Sequence, residues 1–315
     1  MAQRLLVISP VRNEAAHLEL VADAMARQTR PPDLWVLVDD GSTDGTAEIL
    51  AGLAERLGFM RVVHATEQPS APVKDRLATA AAPRTFNLGL GSVDWPSFTH
   101  VAKLDGDIEL PGDYFERLLA EFERDPQLGV AGGIWAEPDA HGAGDGDGWK
   151  AQPIPLEHHV MGSLKCYSLA CFEAIGGIQE RLGWDTIDVT YARMRGFRTR
   201  SFPELVARHH RPWGSADGAL RGRARHGQCA YIVHYPLPWV TLRAFKMARL
   251  RPRGISGVAF LYGYLRSAAL RVPRVEDREF RGYMRRELRA RARRELTGRA
   301  DRGHGGLIPV STSGR

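Results

Sequence analysis

The chain has 315 residues, 43% hydrophobic and 25% charged, which suits one large globular domain or one domain with an appendage. The net charge of +6 hides a division: from Arg243 onward there are 19 basic and 6 acidic residues, against 24 basic and 31 acidic before it. Three unpatterned cysteines, Cys166, Cys171 and Cys229, argue against a disulfide framework or a zinc site and fit a reducing compartment.

Residues 4–9 are apolar and β-rich and read as a first buried strand, too short an apolar run for a signal peptide. Pro10 to Glu14 form a polar turn, and Glu14 to Gln28 shows helical spacing of Leu18, Val21, Ala22 and Met25 before Pro31-Pro32 breaks it. Leu34 to Val38 lacks polar alternation, as expected for a strand buried on both faces. Gly41-Ser42-Thr43-Asp44-Gly45 is a turn with helix-capping chemistry, in which Asp44 serves the cap, and Thr46 to Leu57 continues as a helix. Arg61 to His64 is a short strand, 65–80 a mobile loop, and Ala80 to Leu90 a helix. Thr99 to Leu104 is a strand ending in Asp105-Gly106-Asp107, and Pro111-Gly112-Asp113 opens a helix to about Arg124. Gly129 to Trp135 is a strand, 138–148 a Gly- and Asp-rich loop, and Leu164 to Gly177 a small helix-like unit. Trp184 to Arg195 reads as a helix and Arg198 to Phe202 as a strand. The alternation of strand and helix predicts a doubly wound, mostly parallel sheet.

From about residue 230 the chain turns aromatic, prolyl and arginine-rich. The expected division is a domain over 1–229 and a basic, aromatic helical extension over 230–315, whose tail is a candidate for disorder. Gly254 to Leu270 comes nearest to a membrane span, but Arg266 interrupts it and it falls short of the roughly 20 apolar residues required. Residues 284–296 are Arg-rich and suit either an interfacial helix or a solvated one. A basic tail of this kind suggests nucleic acid, anionic lipid or a disordered arm.

Two acidic clusters carry the chemistry: Val38-Asp39-Asp40-Gly41-Ser42-Thr43-Asp44-Gly45, then Lys103-Leu104-Asp105-Gly106-Asp107. An aspartate pair at the end of an apolar strand is costly unless a cation, a ligand or water receives it. Phosphate-bearing ligands bind where strands end and helices begin, at the carboxyl edge of an open sheet. A carboxylate at the second turn can accept hydrogen bonds from a base N–H or ribose hydroxyls, which suits Asp40 with Asp39 beside it. Asp105 and Asp107 are hard oxygen ligands for Mg²⁺ or Mn²⁺, which would neutralise a diphosphate leaving group.

The segments Leu-Val-Ile-Ser-Pro-Val-Arg-Asn-Glu, Val-Asp-Asp-Gly-Ser-Thr-Asp-Gly-Thr, Asn87-Leu88-Gly89 and Leu-Asp-Gly-Asp together resemble the inverting family 2 glycosyltransferases of GT-A fold, over about residues 4–215. The resemblance implies a nucleotide-sugar donor, often a UDP-sugar, and a divalent metal. Carried over by position, Pro10, Arg12, Glu14 and Asp40 line the nucleotide pocket, Arg84 meets the base or diphosphate, and Asp105 and Asp107 form the family's Asp-x-Asp. Gly183-Trp184-Asp185-Thr186-Ile187-Asp188 resembles the acceptor-side segment, with Trp184 where the family usually has a glutamate. Asp185 lies 11 residues before Gly196, the spacing expected of the family's catalytic aspartate. Asp185 is the first choice of base and Asp188, three residues on and on the same helix face, the second.

His209-His210-Arg211-Pro212 follows the next strand; a neutral imidazole there could complete the metal shell and Arg211 could meet the diphosphate. His158-His159, with Gly162 and Lys165, suits the acceptor side. The reading is therefore a metal-dependent sugar transferase acting on a glycan or lipid-linked acceptor, cytoplasmic and peripheral on the inner membrane face, its basic extension resting on anionic lipid. The alternatives are a nucleotidyltransferase, for which Pro10-Val11-Arg12-Asn13-Glu14 lacks a Gly-rich basic phosphate loop, and a non-catalytic nucleotide-sugar binder. Nucleic acid is disfavoured, because no aromatic-and-basic recognition motif accompanies the tail.

Overall fold

Successive residues of the first strand bury on opposite faces of a sheet, so Leu5 and Val7 join one core and Leu6 and Ile8 another. The computed structural model describes residues 3–65, 80–139, 148–151, 159–211, 218–250 and 252–297, and the loops expected at 65–80 and 138–148 lie largely outside them. Contacts divide the chain into two units, Met1–Arg211 and Pro212–His304.

In the first unit β1 (Leu5–Val11), β2 (Leu34–Asp39), β3 (Met60–His64) and β4 (His100–Leu104) pair in parallel in the order β3-β2-β1-β4. All four therefore end on one edge, and β1 lies between β2 and β4. Beyond β4 the sheet becomes mixed: β8 (Leu164–Ser168) runs antiparallel to β4 and to β6 (Leu128–Pro138). Next, β9 (Arg198–His209) lies parallel to β6, and β5 (Ile108–Glu109) and β7 (Trp149–Ala151) close as antiparallel additions.

One face is covered by α1 (Leu18–Ala26), α2 (Thr46–Arg56) and α4 (Tyr114–Arg124), which contribute Leu18, Leu50, Phe115 and Leu118 to a core with Trp35 and Leu37. The other face is covered by α3 (Ala81–Gly91), α5 (Leu169–Ala174) and α6 (Trp184–Met194), which bring Phe86, Phe172 and Val189 against Val36 and Val38. The α/β class with helices flanking a central sheet thus holds. The Asn87-Leu88-Gly89 motif explains how α3 docks. A Cβ on Gly89 would lie 2.6 Å from Val38 and 2.8 Å from Ile8. Asn87 meanwhile donates to the Ile178 carbonyl and the Glu180 carboxylate, each at 3.0 Å.

The expected helical unit over Leu164–Gly177 is corrected: Leu164–Ser168 is a central strand, and only Leu169–Ala174 is helical. Both faces of that strand are buried, so its lysine interrupts no apolar alternation that could have been read. Strand β9 continues past Phe202 to His209, which carries the histidine pair to the sheet edge.

The second unit holds α7 (Ala219–Ile232), α8 (Leu237–Ala248), α9 (Ile255–Ala269) and α10 (Arg278–Thr297). The expected boundary at 229–230 falls inside α7, which packs along α9, so the helical unit begins earlier than composition suggests. Its core is Ala230, Tyr231, Val240, Ala244, Met247, Phe260 and Tyr264. No helix among the described residues is long and apolar enough to cross a membrane.

Candidate active site

Two loops at the carboxyl ends of β1 and β2 lock onto each other. Asn13, at a positive φ of 54°, accepts from the Thr43 amide at 2.8 Å and donates its own amide to Ser42 Oγ at 3.0 Å. The Arg12 guanidinium donates to the Asp40 carbonyl at 2.6 Å. The turn itself is held by Asp39, whose Oδ1 accepts from the Ser42 amide at 3.0 Å and its hydroxyl at 2.6 Å. Asp39 is buried in this turn, with its other oxygen 3.5 Å from His64. Asp40 is half-buried on the same loop, beside Pro10 and Arg12. Asp44 precedes Gly45, the N-cap of α2, and accepts from the Thr46 amide and hydroxyl; these bonds hold its carboxyl below the usual range.

Glu14 lies beside the second acidic turn. It is only 7% exposed, its amide bonds Thr46 Oγ1 at 2.9 Å, and its carboxylate accepts from Arg211 at 2.7 Å. Burial first, then the charge of Asp107, pushes its carboxyl up to about 8, against the opposing pull of Arg211. Glu14 therefore sits among the carboxylates of the Asp105-Gly106-Asp107 turn, where Gly106 leaves no room for a Cβ beside Val11. No sequence spacing reveals this; the parallel pairing of β1 with β4 does.

At that turn Asp105 is ion-paired to the buried Lys103, and Asp107 faces His209 Nε2 at 3.4 Å. His209 has Asp107 on one side and Glu137, at 3.5 Å, on the other. Burial works against its charge, but the two carboxylates win and raise its pKa to about 9. In the metal-free arrangement this places His209 as a partner of Asp107, at the turn where it was expected to complete a metal shell. His210 has different partners. It pairs with Glu109 at 2.9 Å, stacks on His17 at 5.5 Å and meets the edge of Trp149. Among the described residues no three His, Cys, Asp or Glu side chains converge as a metal cage. Arg211 reaches Glu14 and the Asn13 carbonyl, at 3.1 Å, with its side chain 41% exposed. Arg84 stands exposed on the first turn of α3.

Across from this turn, α6 opens at Gly183 with φ 85°. Asp185 is half-buried in its first turn, and its carbonyl accepts from Lys165 at 3.0 Å. Asp188 is buried; its two oxygens accept from Lys165 at 2.8 and 3.0 Å and it also bonds the Tyr167 hydroxyl. This corrects Asp188 as an alternative base: its carboxylate is committed to a lysine and a tyrosine in the core. The signal was present in the apolar neighbours Ile187 and Val189, which turn that side of α6 inward. Lys165, expected on the acceptor side, is fully buried instead. His158 lies outside the described residues, while the His159 carbonyl accepts from Ser201. Trp184 links the two halves of the site. Lys103 and Lys165, cross-strand partners on β4 and β8, lie 5.4 and 5.0 Å from its ring centroid, and Gly162 leaves space for the ring.

Residues 6–74 match the family model described as glycosyl transferase family 2. A 121-residue stretch is 34% identical to the succinoglycan biosynthesis protein ExoA of Rhizobium meliloti (strain 1021), covering 37% of this chain and 32% of that protein. The aligned stretch thus spans about a third of the curated relative. The structure superposes on the mannosyltransferase PcManGT of Pyrobaculum calidifontis, solved with GDP-Man and Mn²⁺, with TM-score 0.53 and 18% identity over 95% of this chain and 88% of that one. It also superposes on GalNAc-T7, solved with UDP, GalNAc and Mn²⁺, with TM-score 0.57 and 14% identity over 93% of this chain and 57% of that one. The likeness to family 2 glycosyltransferases read from the motifs is borne out, and the fold is of GT-A type. The family match and the polysaccharide-biosynthesis relative support glycosyl transfer.

Proposed function

We propose that this chain moves a sugar from a nucleotide-diphospho-sugar, a UDP-sugar by preference, to an acceptor hydroxyl with inversion. The observation that carries the reading is the Asp105-Gly106-Asp107 turn at the end of β4, with Asp40 just past the end of β2 on the same sheet edge and Asp185 at the start of α6. In this reading Arg12 and Asp40 receive the nucleoside, and Arg211 meets the diphosphate.

Asp105 and Asp107 suit Mg²⁺ or Mn²⁺, because such ions are commonly held by one or two carboxylates and complete their shell with water and substrate phosphate oxygens. The nucleotides and Mn²⁺ in the two structural neighbours agree with that mode. The ion would neutralise charge on the departing diphosphate.

Asp185 takes the proton of the acceptor hydroxyl as its oxygen attacks the anomeric carbon on the side opposite the diphosphate. The new glycosidic bond forms as the sugar–phosphate bond breaks, and the nucleoside diphosphate leaves with the bonding pair. Lys165 fixes the Asp185 main chain, and the Trp184 ring over both lysines sets the first turn of α6 against the Asp105 turn. We further propose a glycan or lipid-linked acceptor in polysaccharide or glycolipid assembly, at the cytoplasmic face of the membrane.

The test is turnover of a panel of nucleotide-sugars with Mn²⁺, Mg²⁺ or chelator. Metal-dependent release of a nucleoside diphosphate from one donor supports the reading. An Asp105→Asn variant that keeps full metal-dependent turnover contradicts it. Formation of a nucleoside triphosphate and a sugar phosphate from the nucleotide-sugar when pyrophosphate is added would instead favour a nucleotidyltransferase, and binding without turnover a non-catalytic binder.

A further inference from the structure

We propose that the outer faces of α8 and α9 dock on an anionic lipid bilayer; this rests on the membrane contact proposed above and gives it a surface. The inner face of α9 is fixed by close backbone packing. A Cβ on Gly263 would lie 1.8 Å from the Ala224 carbonyl oxygen of α7, and one on Gly257 would lie 2.5 Å from that of Ala244 on α8. Phe260 and Tyr264 fill the core on the same side. Helical geometry then turns Ile255, Val258, Tyr262 and Leu265 outward as one stripe about 15 Å long. These four side chains are 54, 65, 59 and 57% exposed.

The outward face of a helix on a soluble protein ordinarily carries charge. In α9 the single charged residue is Arg266, at the edge of the stripe. The pattern repeats on α8, where Leu237 and Phe245 are exposed, and in the flanking Leu250 and Leu270. The surrounding charge selects the occupant. Residues 218–275 contain 11 Lys and Arg and no Asp or Glu. Lys246, Arg249, Arg253, Arg266 and Arg271 lie on the two helices or directly beside their ends. A second copy would bring two such basic surfaces together. An anionic bilayer offers a hydrocarbon boundary for the stripe and phosphates for the arginine and lysine heads, whose stems can lie along the apolar side chains. With 15 residues, α9 is too short to span a bilayer and suits the interfacial plane.

The experiment is co-sedimentation of the full chain with vesicles of phosphatidylcholine alone or mixed with phosphatidylglycerol. The variants are Val258→Asp/Leu265→Asp, Phe245→Ser, and Leu20→Asp, an exposed leucine on α1, as control. The wild type should bind the mixed vesicles and bind pure phosphatidylcholine much more weakly. Val258→Asp/Leu265→Asp should lose roughly tenfold or more in partitioning, and Phe245→Ser a smaller part, while Leu20→Asp matches the wild type. Hydrolysis of a water-soluble nucleotide-sugar should stay unchanged in every variant, so its absence in the wild type would tell against the transferase while leaving docking to stand on the vesicle result. A wild type that ignores the mixed vesicles overturns the proposal, as does a Val258→Asp/Leu265→Asp protein that binds like the wild type. A wild-type dimer in light scattering that this variant dissociates would assign the face to a second copy and overturn it as well.

Discussion

Replacing Lys165 by methionine should cost about 3–5 kcal/mol of stability, although no exposed surface changes. The ammonium is fully buried, and it donates at 2.8 and 3.0 Å to Asp188 and at 3.0 Å to the Asp185 carbonyl. Methionine nearly preserves the volume, so the loss is electrostatic. It leaves the Asp188 carboxylate, 2% exposed, with the Tyr167 hydroxyl as its remaining side-chain donor. Asp188→Asn alone should cost less, since its amide oxygen still accepts from the lysine. In Lys165→Met/Asp188→Asn neither charge is left unpaired, and the double variant should recover about 2–3 kcal/mol relative to the sum of the singles. Urea unfolding followed by tryptophan fluorescence measures all four corners of this cycle. A Lys165→Met protein within about 1 kcal/mol of wild type, or strict additivity in the double variant, would refute the claim that Asp188 is a structural counter-ion rather than a catalytic base.

Asp185→Asn should lower kcat by roughly 10²- to 10⁴-fold with little change in melting temperature, the converse of Asp188→Asn, and steady-state turnover beside calorimetry separates the two. Glu14 should make the metal-free protein less stable as pH rises. Between its ordinary value of 4.5 and about 8, the folded state keeps a proton that the unfolded state has released. By pH 8 this amounts to a penalty on the order of 4 kcal/mol. In chelator, Glu14→Gln should accordingly be more stable than wild type at pH 8 and equal to it near pH 4.5, and a pH-independent difference in the urea midpoint would contradict the assignment. Gly89→Ala should destabilise by about 1–3 kcal/mol, because the added methyl meets Val38 and Ile8 inside 3 Å; an unchanged thermal midpoint would show that α3 can shift outward.

The carboxyl edge of the sheet was legible because β1 and β2 are buried on both faces and read as apolar runs ending in polar turns, and because β4, although it carries His100 and Lys103, runs straight into Asp105-Gly106-Asp107. The Asp39–Gly45 and Asp105–Asp107 turns stood out for the same reason. Strand β8 was not legible. In Leu164–Ser168 a lysine looks like a solvent mark, and the partner that permits its burial, Asp188, lies 23 residues away on another element. The roles of Asp185 and Asp188 could not be divided by spacing, since three residues apart on a helix means neighbouring positions whether that face meets the core or the pocket. The histidine pair is divided in a way that its sequence does not show. His209 and His210 are consecutive on a strand end and so point apart, one to Asp107 and Glu137, the other to Glu109 and His17. Glu14 joined the Asp105 cluster through strand pairing, which a linear motif does not encode.

Titration calorimetry of nucleoside diphosphates and nucleotide-sugars into the full chain, with Mn²⁺ or with chelator, tests the central claim most directly. The account expects one donor to bind in Mn²⁺, to weaken sharply in chelator, and to lose the metal effect in Asp105→Asn. A folded wild type that binds no donor under either condition, or binds one equally well with chelator, would contradict a metal-assisted donor site at the Asp105-Gly106-Asp107 turn.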